Sequence, residues 1–439
     1  MKRILYMLTC SCLPILAQAQ EVYTLQSCLE NGLQNNYSLR ITQNETQISK
    51  NNATLGNAGY LPTLDLSAGY KGTVDNTEAK LRETGETTKE RGVFDQALSV
   101  GVNLNWTLFD GFNISTNYKR LKELERQGET NTRIAIEDFV ADMTAEYYNF
   151  VQQKIRLKNF LYATSLSKER LRIVEARYHI GSFSRLDVQQ AKVDFNSDSA
   201  KYMKQQESLN TSRIRLNRLM ANPDVDRNIR IKDSLITVGA PLAFDELWNA
   251  TLATNAALLK AEQNTRLAQL DYKRVQSRNY PYLKLNTGYG YTLNKYDISA
   301  YSRRENLGFN GGLTLGFTLF DGNRRRERQN ADIVIKNSRL QREELALILR
   351  ADISNLWQAY CNNLEMLKLE RQNLVAAKEN YEIAMERYLL GNLSGIEMRE
   401  AQKSLLDAEE RILSAEYDTK LCEISLMQIS GNVLTYLKQ

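Results

Sequence analysis

Proline is scarce in this chain of 439 residues: Pro14, Pro62, Pro223, Pro241 and Pro281 are all there is. Histidine occurs once, at His179. There is no glycine-rich phosphate loop and no nucleophile elbow, and the many carboxylates form no pocket-like cluster. With one histidine besides, these absences argue against an enzyme; no catalytic residue, cofactor or metal site is expected. Beyond the N-terminus no run nears the roughly 18 apolar residues of a membrane-crossing helix, and a mean hydropathy of −0.47 is too polar for a helical membrane protein. The five cysteines are scattered, Cys10 and Cys12 near the start and Cys28, Cys361 and Cys422 far apart. They form neither a disulfide framework nor a metal motif, and Cys28, Cys361 and Cys422 read as small packing residues.

What is present begins with a basic start, Lys2-Arg3, an apolar stretch from Ile4 to Leu16, and Ala17-Gln18-Ala19. Residues 1–19 therefore read as a secretory signal peptide. Cys10 and Cys12 leave lipidation open, though they sit inside the apolar stretch. Removing Lys2 and Arg3 takes the formal charge from +5 to +3, a mild excess that implies no nucleic-acid partner.

The remainder repeats itself. Trp106-Thr-Leu-Phe-Asp-Gly111 returns as Phe317-Thr-Leu-Phe-Asp-Gly322, an offset of 211. Arg177-Tyr178-x-x-Gly181-x-x-Ser184 returns as Arg387-Tyr388-x-x-Gly391-x-x-Ser394, an offset of 210, while Pro62 to Tyr70 matches Pro281 to Tyr289 at 219. The first copy is assigned to 20–220, a linker or small equatorial segment to 221–243, and the second copy to 244–439.

Within each copy the hydrophobic period changes. Leu98, Val100, Val102, Leu104, Trp106 and Leu108 alternate with Ser, Gly, Asn and Thr, and Leu307 to Leu319 does the same. Such alternation is a β-strand with one apolar and one polar face. Strands are predicted at about 60–72 and 96–109, and at about 280–292 and 307–320, with exposed loops at 71–95 and 292–306. An uncharged polar face suits a watery lumen better than the outside of a soluble sandwich. Aromatics gathered at one end (Trp106, Phe109, Tyr280, Tyr282, Phe317, Phe320) resemble an interfacial girdle. Four strands cannot close a barrel, which needs about eight, and open edges in lipid would strand backbone groups. The chain must oligomerise. A trimer gives twelve strands, and arithmetic alone leaves a dimer open.

After each Phe-Asp-Gly the period becomes helical. From Asn323 to Leu390, 68 residues contain neither glycine nor proline, about 100 Å of helix. Long helical hairpins are predicted over about 112–220 and 323–430, turning at Gly181 and Gly391, with shorter helices at 24–58 and 244–278. Asp110-Gly111 and Asp321-Gly322 read as strand-exit turns. The fold class is mostly α with a membrane β portion, in a duplicated unit of two strands and a long hairpin. A periplasmic coiled-coil scaffold or adaptor without a pore would share the hairpins but not four lipid-compatible strands.

This order of elements, with the paired Arg-Tyr-x-x-Gly-x-x-Ser turns followed by Asp187 and Glu397, resembles the TolC family of outer-membrane efflux channels. The resemblance covers nearly the whole mature chain. It implies a homotrimer in the cell outer membrane, with a twelve-stranded barrel and a tapering helical tunnel through the periplasm. It further implies a passive duct for efflux or type I secretion, opened by a periplasmic adaptor protein and an inner-membrane pump. By position, Tyr388 matches the family's gate tyrosine, Asp187 the carboxylate it meets, and Glu397 and Glu400 two acidic rings. Leu393 stands where the best-known member has a gate arginine, so the closing network here must differ. Glu397 and Glu400 lie three apart on one helical face, and a ring of such carboxylates attracts cations. His179 reads as an exposed polar residue beside the turn. Arg324-Arg325-Arg326-Glu327-Arg328 reads as a solvated or lumen-lining face.

Overall fold

The computed structural model describes residues 22–80, 82, 84–299 and 301–438; the expected signal peptide, with Cys10 and Cys12, lies outside the described residues. The order is β1 (Val22–Tyr23), α1 (Leu25–Asn35), α2 (Tyr37–Asn52), α3 (Leu55–Ala58), β2 (Thr63–Lys80), β3 (Thr87–Asp110), α4 (Asn113–His179) and α5 (Arg185–Leu219). There follow β4 (Arg230–Ile231), α6 (Phe244–Thr254), α7 (Ala256–Ser277), β5 (Tyr282–Lys295), β6 (Arg303–Gly316), α8 (Arg324–Leu389), α9 (Gly395–Ile429) and a 3₁₀ turn at Val433–Lys438. Two compact units result, each drawing on both sequence copies.

One unit, Ile41–Ala135 with Asn255–Leu349, holds the sheet. Its strands run in the order β2-β3-β5-β6, each antiparallel to its neighbour. Register sorts side chains by face, because successive residues point to opposite sides. Leu66, Val102, Tyr289 and Phe309 stand opposite one another in a single row. They are 78, 40, 56 and 74% exposed, so the apolar face is left largely uncovered by the chain. The adjacent row is Asp65, Asn103, Gly288 and Asn310. On this polar face Asn103 donates to Ser67 at 2.9 Å and Asn105 to Asp65 at 3.3 Å.

The strand bounds depart from the alternation. Much of the loop expected at 71–95 is strand, with the β2–β3 ladder running on to Lys80 opposite Thr87. Lys89 pairs with Glu78 across it at 3.0 Å, and a bulge lies between Asp75 and Thr77. A ribbon wetted on both faces keeps its backbone bonds without an apolar side, so its period-two signal disappears. The second pair likewise extends beyond expectation, β5 to Lys295 and β6 back to Arg303. β6, however, ends at Gly316 rather than near 320, because β5 supplies partners only from Tyr282, opposite Gly316. β3 reaches Asp110 because a bulge between Thr107 and Phe109 keeps it paired with β5.

The other unit gathers the described residues up to Arg40, Ile136–Thr254, and those from Arg350 onward. Within the segment expected as a linker, β4 pairs in parallel with β1. Leu29, Val140, Met143, Tyr147 and Val151 are fully buried. Gly32 lets α1 approach α4 closely, since a Cβ there would meet the Phe139 ring at 2.2 Å. The Tyr147 hydroxyl donates to Asp233 at 2.7 Å. Cys28 is buried and free, and burial pushes its thiol up to about 12. A second cluster joins Leu247 of α6, Ile353 and Tyr360 of α8, and Leu426 of α9.

Candidate functional site

The tips of the two hairpins are built alike. Gly181 and Gly391 have φ of +78° and +80°, the left-handed region where a Cβ is penalised. Gly181 N–H bonds to Tyr178 O at 3.0 Å and Ser182 N–H to Arg177 O at 2.9 Å. In the second hairpin Gly391 N–H bonds to Tyr388 O at 3.1 Å and Asn392 N–H to Arg387 O at 2.8 Å. This paired closure satisfies carbonyls that a helix end otherwise leaves open.

Each returning helix then starts with a capping box. Ser184 Oγ accepts from Asp187 N–H at 3.2 Å, while Asp187 Oδ2 accepts from Ser184 N–H at 2.9 Å and from its hydroxyl at 2.7 Å. Ser394 and Glu397 repeat the arrangement at 3.3, 3.0 and 2.8 Å. The spacing of Gly, Ser and acid in the motif thus follows from chain reversal itself. The hydrogen bond from the Ser184 side chain, helped by its backbone N–H, holds the Asp187 carboxyl below the usual aspartate range. The Ser394 backbone N–H, then its hydroxyl, does the same for Glu397. Two residues expected at a gate are therefore engaged in helix caps.

Tyr388 is 1% exposed. Its hydroxyl has no hydrogen-bond partner among the described residues, and burial pushes its pKa up. No hydrogen bond links it to Asp187, whose carboxylate turns back onto Ser184. What Tyr388 meets is Arg177, whose guanidinium lies 5.4 Å from the Tyr388 ring centre and 5.3 Å from that of Phe183. Arg177 also donates to Tyr388 O at 3.2 Å and Leu389 O at 2.9 Å, placing a cation on the negative end of α8. Tyr178, Arg387, Leu389 and Glu400 are exposed, as is His179, and Leu393 packs on the cluster around Tyr388. The rings of Tyr178 and His179 lie 5.9 Å apart, tilted by 58°.

Deeper in the same unit lies a polar lock that the sequence reading missed. Asp198 of α5, its side chain 2% exposed, takes two bonds from Arg399 of α9 at 2.6 and 2.9 Å. It also accepts the Ser167 hydroxyl of α4, and Arg170 pairs with Asp194 beside it. Burial pushes the Asp198 carboxyl up, but the bonds from Arg399 and Ser167 outweigh it and hold the group below the usual range. Asp194 and Asp198 lie on one face of α5, the only local hint; nothing in the sequence says that Arg399 reaches them.

The strand-exit turns are not equivalent. Asp110 accepts from Ile114 N–H at 3.0 and 3.1 Å and from Asn113 at 3.0 Å, so it caps α4. Gly111 (φ +69°) is pressed against Ser277, whose carbonyl a Cβ would meet at 2.2 Å. Asp321 accepts from Asn323 N–H at 3.0 Å, whereas Gly322 meets no such crowding. Of the six aromatics expected to gather here, Phe109 and Tyr280 are brought together by Phe112, which sits edge-on to them at 5.2 and 5.7 Å. In the arginine run, Arg324 donates to Thr318 O at 3.2 Å, and Glu327 pairs with Arg278 at 2.5 Å.

A sheet with one apolar and one polar face, joined to duplicated long hairpins, defines a channel-type architecture. The chain matches the outer membrane efflux protein family over residues 28–222 and 247–432, and it belongs to that family. It is 20% identical to outer membrane protein TolC of Vibrio cholerae, over 99% of this chain and 96% of that one. It is likewise 20% identical to outer membrane efflux protein BepC of Brucella suis, over 95% and 87%. The CmeC outer membrane channel of Campylobacter jejuni shares the fold, with a TM-score of 0.75 at 17% identity, over 93% and 85% of the two chains. The family is one of channels rather than enzymes, and this chain is an outer-membrane export channel component.

Proposed function

We propose that three copies assemble into a passive duct in which the sheets form one twelve-stranded barrel and the hairpins line a tunnel through the periplasm. The observation that carries this reading is the sheet: β2 and β6 are its two edges, and its apolar face is largely bare. No helix among the described residues is long and apolar enough to cross a membrane, so lipid contact falls to that face. Closing the sheets edge to edge removes the open edges that lipid cannot satisfy, and three copies exceed the eight strands a barrel needs.

The tips form the periplasmic gate, with Tyr388 and Asp187 at the seam between hairpins and Glu397 and Glu400 toward the opening. Glu397 stays ionised, but the start of α9 and the charge of Arg387 offset part of its field, so Glu400 contributes the larger share. A periplasmic adaptor and an inner-membrane pump supply the force and the choice of cargo, for efflux or for type I secretion. Planar-bilayer conductance tests the gate. Glu400→Gln is expected to weaken cation selectivity more than Glu397→Gln does. Selectivity unchanged in Glu400→Gln and in the Glu397→Ala, Glu400→Ala pair refutes the acidic gate.

A further inference from the structure

The two tips share one motif but differ in what their arginines touch. Arg177 crosses from the first hairpin to the second and seats on the last carbonyls of α8 and on the Tyr388 ring. Its counterpart Arg387 is exposed and donates no hydrogen bond among the described residues; its electrostatic effect falls on Glu397. The counterpart of the site that Arg177 occupies is the end of α4, where Tyr178 is 42% exposed and His179 lies open.

The ion pairs between the hairpins have no such counterpart. Shifted by 210, Asp198 becomes Ala408, Arg399 becomes Gln189, Arg156 becomes Met366 and its partner Glu410 becomes Ala200. The arginine and the tyrosine of the tip survive the shift. The remaining acceptors are backbone carbonyls, so recognition does not depend on His179 replacing Leu389.

We infer that Arg387 docks on a second copy of this chain, donating to Tyr178 O and His179 O of the partner subunit and lying over the partner's Tyr178 ring. The inference rests on the ring proposed above and adds its contact at the tip. In a ring where hairpins alternate, each second hairpin meets the first hairpin of the next copy, and the junction made within the chain is repeated between chains. A cation on the carbonyl end of the neighbour's helix is favourable on charge grounds.

The test co-expresses two differently tagged full-length subunits, one carrying Arg387→Cys and the other His179→Cys, in a background without other cysteines. A short bifunctional thiol reagent is applied to the detergent-purified complex. The expected product is a covalent dimer bearing both tags. Arg177→Cys and Leu389→Cys form the control: on one chain they link internally, and on separate subunits they do not link. Copurification of both tags without the covalent dimer, while the control links, overturns this contact and leaves the ring standing. Failure of the tags to copurify overturns the ring and the contact with it.

Discussion

At Gly391 the chain needs a left-handed backbone, and four residues later, at Gly395, it does not. Both glycines have open space around the missing Cβ, so conformation alone separates them. Gly391→Ala is expected to cost about 1–2 kcal/mol at the tip, whereas Gly395→Ala, at the start of α9, gains about 0.4–1 kcal/mol by restricting the unfolded chain. Hydrogen exchange over residues 388–400 reads both signs, and equal effects would contradict the closure described. Asp198 gives a second residue-level test. Its folded pKa is depressed, so its contribution is complete above the ordinary aspartate value of 3.8 and is lost as pH falls through the folded value. The melting temperature of Asp198→Asn should therefore lie below that of the parent at pH 7, and the gap should close in acid. A gap independent of pH would mean that the carboxylate charge is not what binds Arg399.

Among the elements, the ion pair between α5 and α9 separates two meanings of stability. Removing one partner of a buried pair leaves the other charge unpaired, so Asp198→Ala is expected to cost about 3 kcal/mol in thermal or denaturant unfolding. Replacing both, as Asp198→Leu with Arg399→Met, should recover most of it; a double variant no better than the single would show that the pair is not the source. The sheet makes its own prediction. β3 meets β5 with Val102 opposite Tyr289, and the repeat offsets of 211 and 219 carry this register to Leu313 opposite Tyr70 of the partner subunit. Cysteines at these two positions should link neighbouring chains, and linkage favouring positions one residue away would refute the repeated register.

How far these elements were legible depended on how local their causes are. Gly181, Ser184 and Asp187 stand out in the sequence because a turn and a cap are settled within a few residues. The alternation of Leu98 to Leu108 is legible because one face is apolar and the other polar. The ladder from Lys71 to Lys80 and Thr87 to Asp95 is not, since charged and polar residues lie on both of its faces. The Asp198–Arg399 lock could not be read either, because its partners are 201 residues apart and an arginine on a helix looks the same whether it meets solvent or a carboxylate. Asp187 and Glu397 show the converse: the motif singles them out, but their hydrogen bonds give them to the caps of α5 and α9.

For the whole molecule, four strands per chain are too few to close a barrel. Duplication within the chain creates two similar hairpins, and in the proposed ring the unequal use of Arg177 and Arg387 marks the junction between one copy and the next. Native mass spectrometry of the detergent-extracted protein tests this most directly. A complex of three chains, not released from membranes without detergent, is the expected result. A single chain set free as soluble protein, or a stable assembly of two or four, would contradict it.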